Sequence, residues 1–178
     1  DEDEEVKRTI EELRKEVEKT LREIEKSLKE SEDKSRKHLE EVKKSLKETE
    51  EEVDELKKRN VDKEDLDRVV KKMEDNLKRL EDTARKLVRE MRENLKRIKK
   101  RLEELTERLE RTLDELRRRG VDEKVLRELE ERVRRLKKEL KRVLDDYKRK
   151  LEEAERRNRK VLKEYEDSLR ELADRLRR

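Results

Sequence analysis

No cysteine, proline, phenylalanine or tryptophan occurs in the 178 residues, glutamine is missing too, and glycine appears once. Without cysteine there is neither a disulfide framework nor a thiolate metal site. Average proteins carry about 7% glycine and about 5% proline, so here almost nothing interrupts or kinks a long regular segment. Aromatic content is 1%, made up of two tyrosines, which leaves no stacking platform for nucleic-acid bases. No apolar run approaches the ~18 residues of a membrane span, and no signal-peptide core is found. A soluble chain is the expectation.

What is present is charge. Asp, Glu, Lys and Arg make up 63% of the chain and hydrophobic residues only 28%, a balance that on its own suggests disorder. Yet 28% is close to the two residues in seven that a coiled-coil seam requires, and a Glu, Lys, Arg and Leu composition is that of long helices. The net charge is +4, from 58 basic and 54 acidic residues. That balance lacks the one-sided basic stripe of a nucleic-acid binder, and basic residues alternate with acidic ones at i+3 and i+4, as on a helix surface.

Two short marks divide the chain into near-equal thirds: Asn60-Val61-Asp62 and, sixty positions later, Gly120-Val121-Asp122. Asn60 and Gly120 are residue types that tolerate the left-handed conformation just past a helix end. Asp62 and Asp122 are good N-caps for the next helix. Val61 with Leu66, and Val121 with Leu126, have the spacing of a hydrophobic staple. Connections this short make consecutive helices antiparallel neighbours. Terminal charges agree with the helix dipole: Asp1 to Glu5 open the chain, Lys57 to Arg59 and Arg117 to Arg119 close the first two helices, and Arg175, Arg177 and Arg178 the third.

Periodicity decides the architecture. Val6, Ile24 and Val42 are eighteen apart, as are Leu77, Leu95 and Leu113, then Leu80, Ile98 and Leu116, then Val133, Leu151 and Leu169. Eighteen residues in five turns is the pitch of an undistorted α-helix, whereas seven- and eleven-residue repeats would supercoil in opposite senses. The expectation is an all-α, single-chain antiparallel three-helix bundle, long and nearly straight, filling residues 1–178 as one domain. Its helices are expected at about 3–59, 63–119 and 123–177, each roughly 80 Å long at the standard rise. One narrow stripe per helix leaves no second apolar face, so a monomer is expected. Residues 1–60 carry 17 basic and 22 acidic residues, net −5, while 61–120 and 121–178 are net +4 and +5. An acidic first helix beside two basic ones favours the intended pairing.

Polar residues on or beside the stripe are the one feature able to carry chemistry. Antiparallel pairing puts residue i of the first helix near 121 − i of the second and i + 119 of the third. Ser27, Asn94 and Tyr147 then share one level; Ser45, Asn76 and Tyr165 share another, each eighteen from its counterpart. His38, Thr83 and Asn158 fall between them. A buried Tyr hydroxyl needs a partner, which Asn and Ser at its level can supply. These sets read as two repeated hydrogen-bond layers and one His-Thr-Asn layer, with Ser31, Ser35, Ala84 and Ala154 as small residues that offset bulk nearby.

No catalytic constellation survives inspection, and no enzyme is expected. Glu48 and Glu50 to Glu52 belong to a solvated face, without a pocket to raise a pKa. His38 has no second His and no Cys to complete a metal site, so no metal, cofactor or binding partner is expected, neither nucleic acid nor membrane. Two other readings stand beside a structural scaffold. One is a small-molecule or metal binder built on the central polar layer; the other is a lateral interaction module in the manner of spectrin-like repeats.

The eighteen-residue repeat in all three helices, the paired Asn60-Val61-Asp62 and Gly120-Val121-Asp122 loops and the repeated polar levels together resemble de novo designed helical bundles. The similarity is to parametrically generated, untwisted three-helix bundles with buried hydrogen-bond layers, and it covers the whole chain. It implies a structural scaffold without natural biochemical activity, whose core polar layers specify helix pairing. The polarity around Ser31 and Ser35 departs from a purely hydrophobic core.

Overall fold

The computed structural model describes residues 2–60 and 62–177, with side chains for 4–60 and 62–174. Three helices account for nearly all of it: α1 (Glu2–Lys58), α2 (Lys63–Arg118) and α3 (Glu123–Arg177). All three lie within a residue or so of the sequence expectation, and no strand occurs among the described residues.

The turns form where the left-handed residue types stand. Asn60 has φ 53° and Gly120 has φ 70°. After α2 the Gly120 amide donates to the Arg117 carbonyl at 3.2 Å and the Val121 amide to the Leu116 carbonyl at 3.5 Å. This pair of bonds is the Schellman motif, which satisfies carbonyls that the helix end leaves free. At the starts of α2 and α3 the carbonyls of Asp62 and Asp122 accept bonds from the Leu66 amide at 3.2 Å and the Leu126 amide at 2.9 Å. Val121 and Leu126 are both partly buried against one apolar cluster. The matching staple residue Val61, the terminal residues Asp1 and Arg178, and the side chains of Glu2, Asp3, Arg175 and Arg177 lie outside what the structure describes.

A Cβ added at Gly120 would meet nothing within 4 Å, so any penalty there comes from backbone conformation alone. Gly120→Ala is expected to cost about 1–2 kcal/mol, read as a lower urea midpoint with an unchanged m-value. Asn60→Gly is expected to shift that midpoint slightly upward.

Backbone contacts group the chain into two compact units: residues 1–30 with 92–150, and residues 31–91 with 151–178. Each helix contributes a segment to both. In the first unit Val6, Ile10, Leu13, Val17, Leu21, Ile24 and Leu28 of α1 pack with α2 and α3 residues such as Leu109 and Val133. In the second, Val42 and Val53 pack with Met73, Leu77, Leu80, Tyr165, Leu169 and Leu172. The aliphatic stripe of α1 therefore lapses after Leu28 and resumes at Val42, and Ser31, Ser35 and His38 occupy the buried positions between.

Burial keeps the eighteen-residue interval even where chemistry changes. Val17, Ser35 and Val53 are all buried, as are Leu13, Ser31 and Thr49, then Thr20 and His38. In α2 the same holds for Met73, Met91 and Leu109, and in α3 for Leu129, Tyr147 and Tyr165.

Ion pairs within the first unit report the pairing directly. Glu5, Glu16 and Glu23 of α1 meet Arg119, Arg108 and Arg101 of α2 at 4.0, 2.5 and 2.5 Å. As the α1 number rises, its partner's falls by the same step, which is antiparallel register. Arg117 reaches Glu130 at 2.7 Å, and Glu110 pairs with Lys137, so α2 and α3 are antiparallel too. All these side chains are a third or more exposed, and such pairs contribute about 0–1 kcal/mol each. Their value lies in choosing the alignment, with an acidic α1 lying along a basic α2.

Candidate functional site: the buried polar levels

The polar residues singled out in the sequence are brought together at one level, divided at a second, and rearranged at a third. At the first of these, in the second unit, the Asn76 side-chain amide donates to the Ser45 hydroxyl and to the Tyr165 hydroxyl, the latter at 3.4 Å. The Asn76 carbonyl accepts from Arg79 at 2.9 Å. Tyr165 is fully buried while Ser45 and Asn76 are half-buried. One amide at the edge of the stripe thus links the three helices and closes over the tyrosine.

The counterpart in the first unit does not close. Tyr147 is equally buried, yet its hydroxyl has no partner. Asn94 sits half-buried at the stripe edge, where its carbonyl accepts from Arg97 at 2.7 Å, and Ser27 is half-buried. The layer expected from Ser27, Asn94 and Tyr147 is therefore not made: Asn94 bonds along its own helix to Arg97, and the buried phenol has no partner. This asymmetry sets opposite expectations for two conservative changes. Tyr147→Phe removes an unpaired buried hydroxyl and should raise stability by about 1 kcal/mol. Tyr165→Phe removes a bonded one and should lower it by about 1 kcal/mol. Urea denaturation of both variants checks the signs.

At the third level Thr83 is exposed, and its hydroxyl donates back to the Arg79 carbonyl at 3.0 Å, a contact within its own helix. It is not part of the layer; Ala84 takes the inward position instead. His38 and Asn158 are buried, at 4% and 3% exposure. Neither ring nitrogen of His38 and neither polar atom of the Asn158 amide has a hydrogen-bond partner. Burial pushes the His38 pKa down from its ordinary value of 6.5, opposed by the charge of Glu41 and by the nearby Leu80 carbonyl. That carbonyl favours the protonated ring without meeting hydrogen-bond geometry. The other displaced groups, Glu11, Arg14, Arg117 and Asp146, are members of surface ion pairs.

Two buried hydroxyl residues were not foreseen. Thr20 donates to the Glu16 carbonyl at 2.9 Å, and Thr49 is buried in the second unit. The signal for both lay in the repeat, since they stand eighteen residues from His38 and Ser31 respectively.

The largest described groove, about 630 Å³, runs between α1 and α2 of the second unit and is lined by Glu41, Ser45, Thr49, Met73, Asn76 and Arg79 among others. None of the described grooves is lined by Ser35 or His38. Among the described residues no group of three or more His, Cys, Asp or Glu is placed to hold a metal ion. No described helix is long and apolar enough to cross a membrane.

Residues 1–178, the full chain, match a family described as a domain of unknown function, DUF4515. The chain belongs to that family. DUF4515 as described assigns no activity, so membership carries no reaction or ligand to these residues. No curated protein matches the chain. A solved structure titled a computationally designed three helix bundle is 20% identical, covering 97% of this DUF4515 chain and 89% of its own, with a TM-score of 0.38. A superposition at that score supports no conclusion about the buried levels.

Proposed function

We propose that the protein is a structural helical scaffold that performs no catalytic step, and that its sequence was composed de novo for this architecture. Its buried polar levels serve to specify which helix faces pair. The observation that supports this most is the disposition of apolar surface: no large hydrophobic side chain is exposed among the described residues. A surface that binds partners through an apolar patch has to show one. The small amino-acid repertoire, the matched loops and the eighteen-residue repeat support composition by design. On this reading the protein is a monomer, needs no cofactor, and engages neither nucleic acid nor membrane.

Light scattering coupled to size-exclusion chromatography tests the closed arrangement. The proposal requires the mass of one chain, 22.1 kDa, unchanged across a wide range of protein and salt concentration. A dimer mass would mean that an apolar or polar face remains unsatisfied in one chain.

Membership of a family of unknown function favours a second reading, a lateral interaction module similar to spectrin-like repeats. The mixed-charge faces would then do the binding. Saturable capture of one protein partner, abolished by moderate salt, separates this reading from the first. A designed small-molecule or metal binder centred on the polar level is the remaining alternative, and it draws no support from the grooves.

A further inference from the structure

The contacts at Ser45, Asn76 and Tyr165 fix the register of the three helices in the second unit. Seven residues before Ser45 stands His38, and seven before Tyr165 stands Asn158, so these two lie level, two turns from the closed layer. Ala84 comes inward at nearly the same height on α2, and Ser35 and Ala154 follow one turn away; all three are buried. Ser35, Ala84 and Ala154 are smaller than Leu80 and Leu151, which are buried nearby on α2 and α3.

Into this level come four unpartnered polar atoms: Nδ1 and Nε2 of His38, and Nδ2 and Oδ1 of Asn158. Buried polar groups in folded proteins nearly always find partners. A neutral imidazole offers one donor and one acceptor, and an amide offers two donors and an acceptor. Burial keeps the ring neutral, so a charged occupant would find no countercharge on it. A water molecule supplies both donors and acceptors, and a polar site with two to four partners is where internal water resides.

We propose that His38 and Asn158 form an internal hydration site, in which at least one long-lived water bridges α1 to α3 beside Ala84. The site does not depend on the scaffold reading. It gives the level a pairing role, because sliding one helix by a turn would set these groups against aliphatic side chains.

Water-selective NOE and ROE spectroscopy on the labelled full chain tests this. Cross-peaks are expected from water to the Asn158 side-chain amide protons and to the carbon-bound ring protons of His38. Their sign should be that of a water tumbling with the protein. In His38→Leu the Asn158 signal should fall severalfold. The proposal is overturned if the folded wild type shows direct Asn158-to-His38 amide contacts without water signals. It is equally overturned if the signals carry the sign of freely exchanging bulk water. Both of these outcomes are read on the wild type alone, whatever the variant's folding.

Discussion

Leu109→Ala should lower the unfolding free energy by about 2–5 kcal/mol, the range for truncating a well-packed core leucine. Leu109 is 1% exposed and lies in the apolar cluster of the first unit. It stands on the repeat that also buries Met73 and Met91. Its cluster draws buried aliphatic side chains from all three helices, among them Val17 and Val133, so the void left by the missing side-chain atoms has little freedom to collapse. The control is Glu107→Ala, which removes a 64% exposed side chain that pairs with Arg111; it should change stability by less than about 0.5 kcal/mol. Urea titrations followed by circular dichroism separate the two outcomes. Equal effects at both positions would mean that Leu109 is not in a packed core.

The second large effect runs in the opposite direction. Replacing both of these buried polar residues, as His38→Leu with Asn158→Leu, should stabilise the protein by about 1–3 kcal/mol, because apolar side chains there need neither a partner nor an ordered water. The double change matters, because a single one leaves the other buried polar group in place. It also removes a pH dependence. The His38 ring in the folded protein has a pKa below the 6.5 of the free side chain, chiefly through burial. The unfolded chain therefore binds more protons as the pH falls through that value. Stability should be full above the ordinary histidine range and decline as the pH falls through about 6.5 toward the lower folded-state value. The chain contains a single histidine, so the double variant should lose this decline and keep only the carboxylate effects at lower pH. An identical slope in both proteins would show that the ring is not desolvated on folding.

The periodic stripe made the three helices and their buried faces legible, because a 3.6-residue pitch fixes both which residues point inward and where a stripe must end. Asn60 and Gly120 marked the turns for an equally local reason, the low cost of positive φ. Side-chain pairing was legible only in part. Counting along antiparallel helices gives the height of a residue but not its direction around the axis. Thr83 has the right height and the wrong direction, since one step along a helix turns a side chain by about 100° and brings Ala84 inward. Asn76 and Asn94 share the stripe edge and both accept from an Arg three residues on, at 2.9 and 2.7 Å. Only Asn76 also reaches its tyrosine, and that depends on rotamers that no period encodes. The division into two units was likewise not foreseen, although its local correlate, the run of Ser31, Ser35 and His38 between Leu28 and Val42, was visible in the sequence.

The central claim is the alignment of α1 against α2 that sets Ser45 opposite Asn76, and the lack of any cysteine makes it directly measurable by cross-linking. A short bis-alkylating thiol reagent should join Ser45→Cys to Asn76→Cys within one chain. The pairs of Ser45→Cys with Val69→Cys or Ala84→Cys, about two turns away on either side, should react far more slowly. Faster bridging at Val69 or Ala84 than at Asn76 would contradict the register, and with it every level described above.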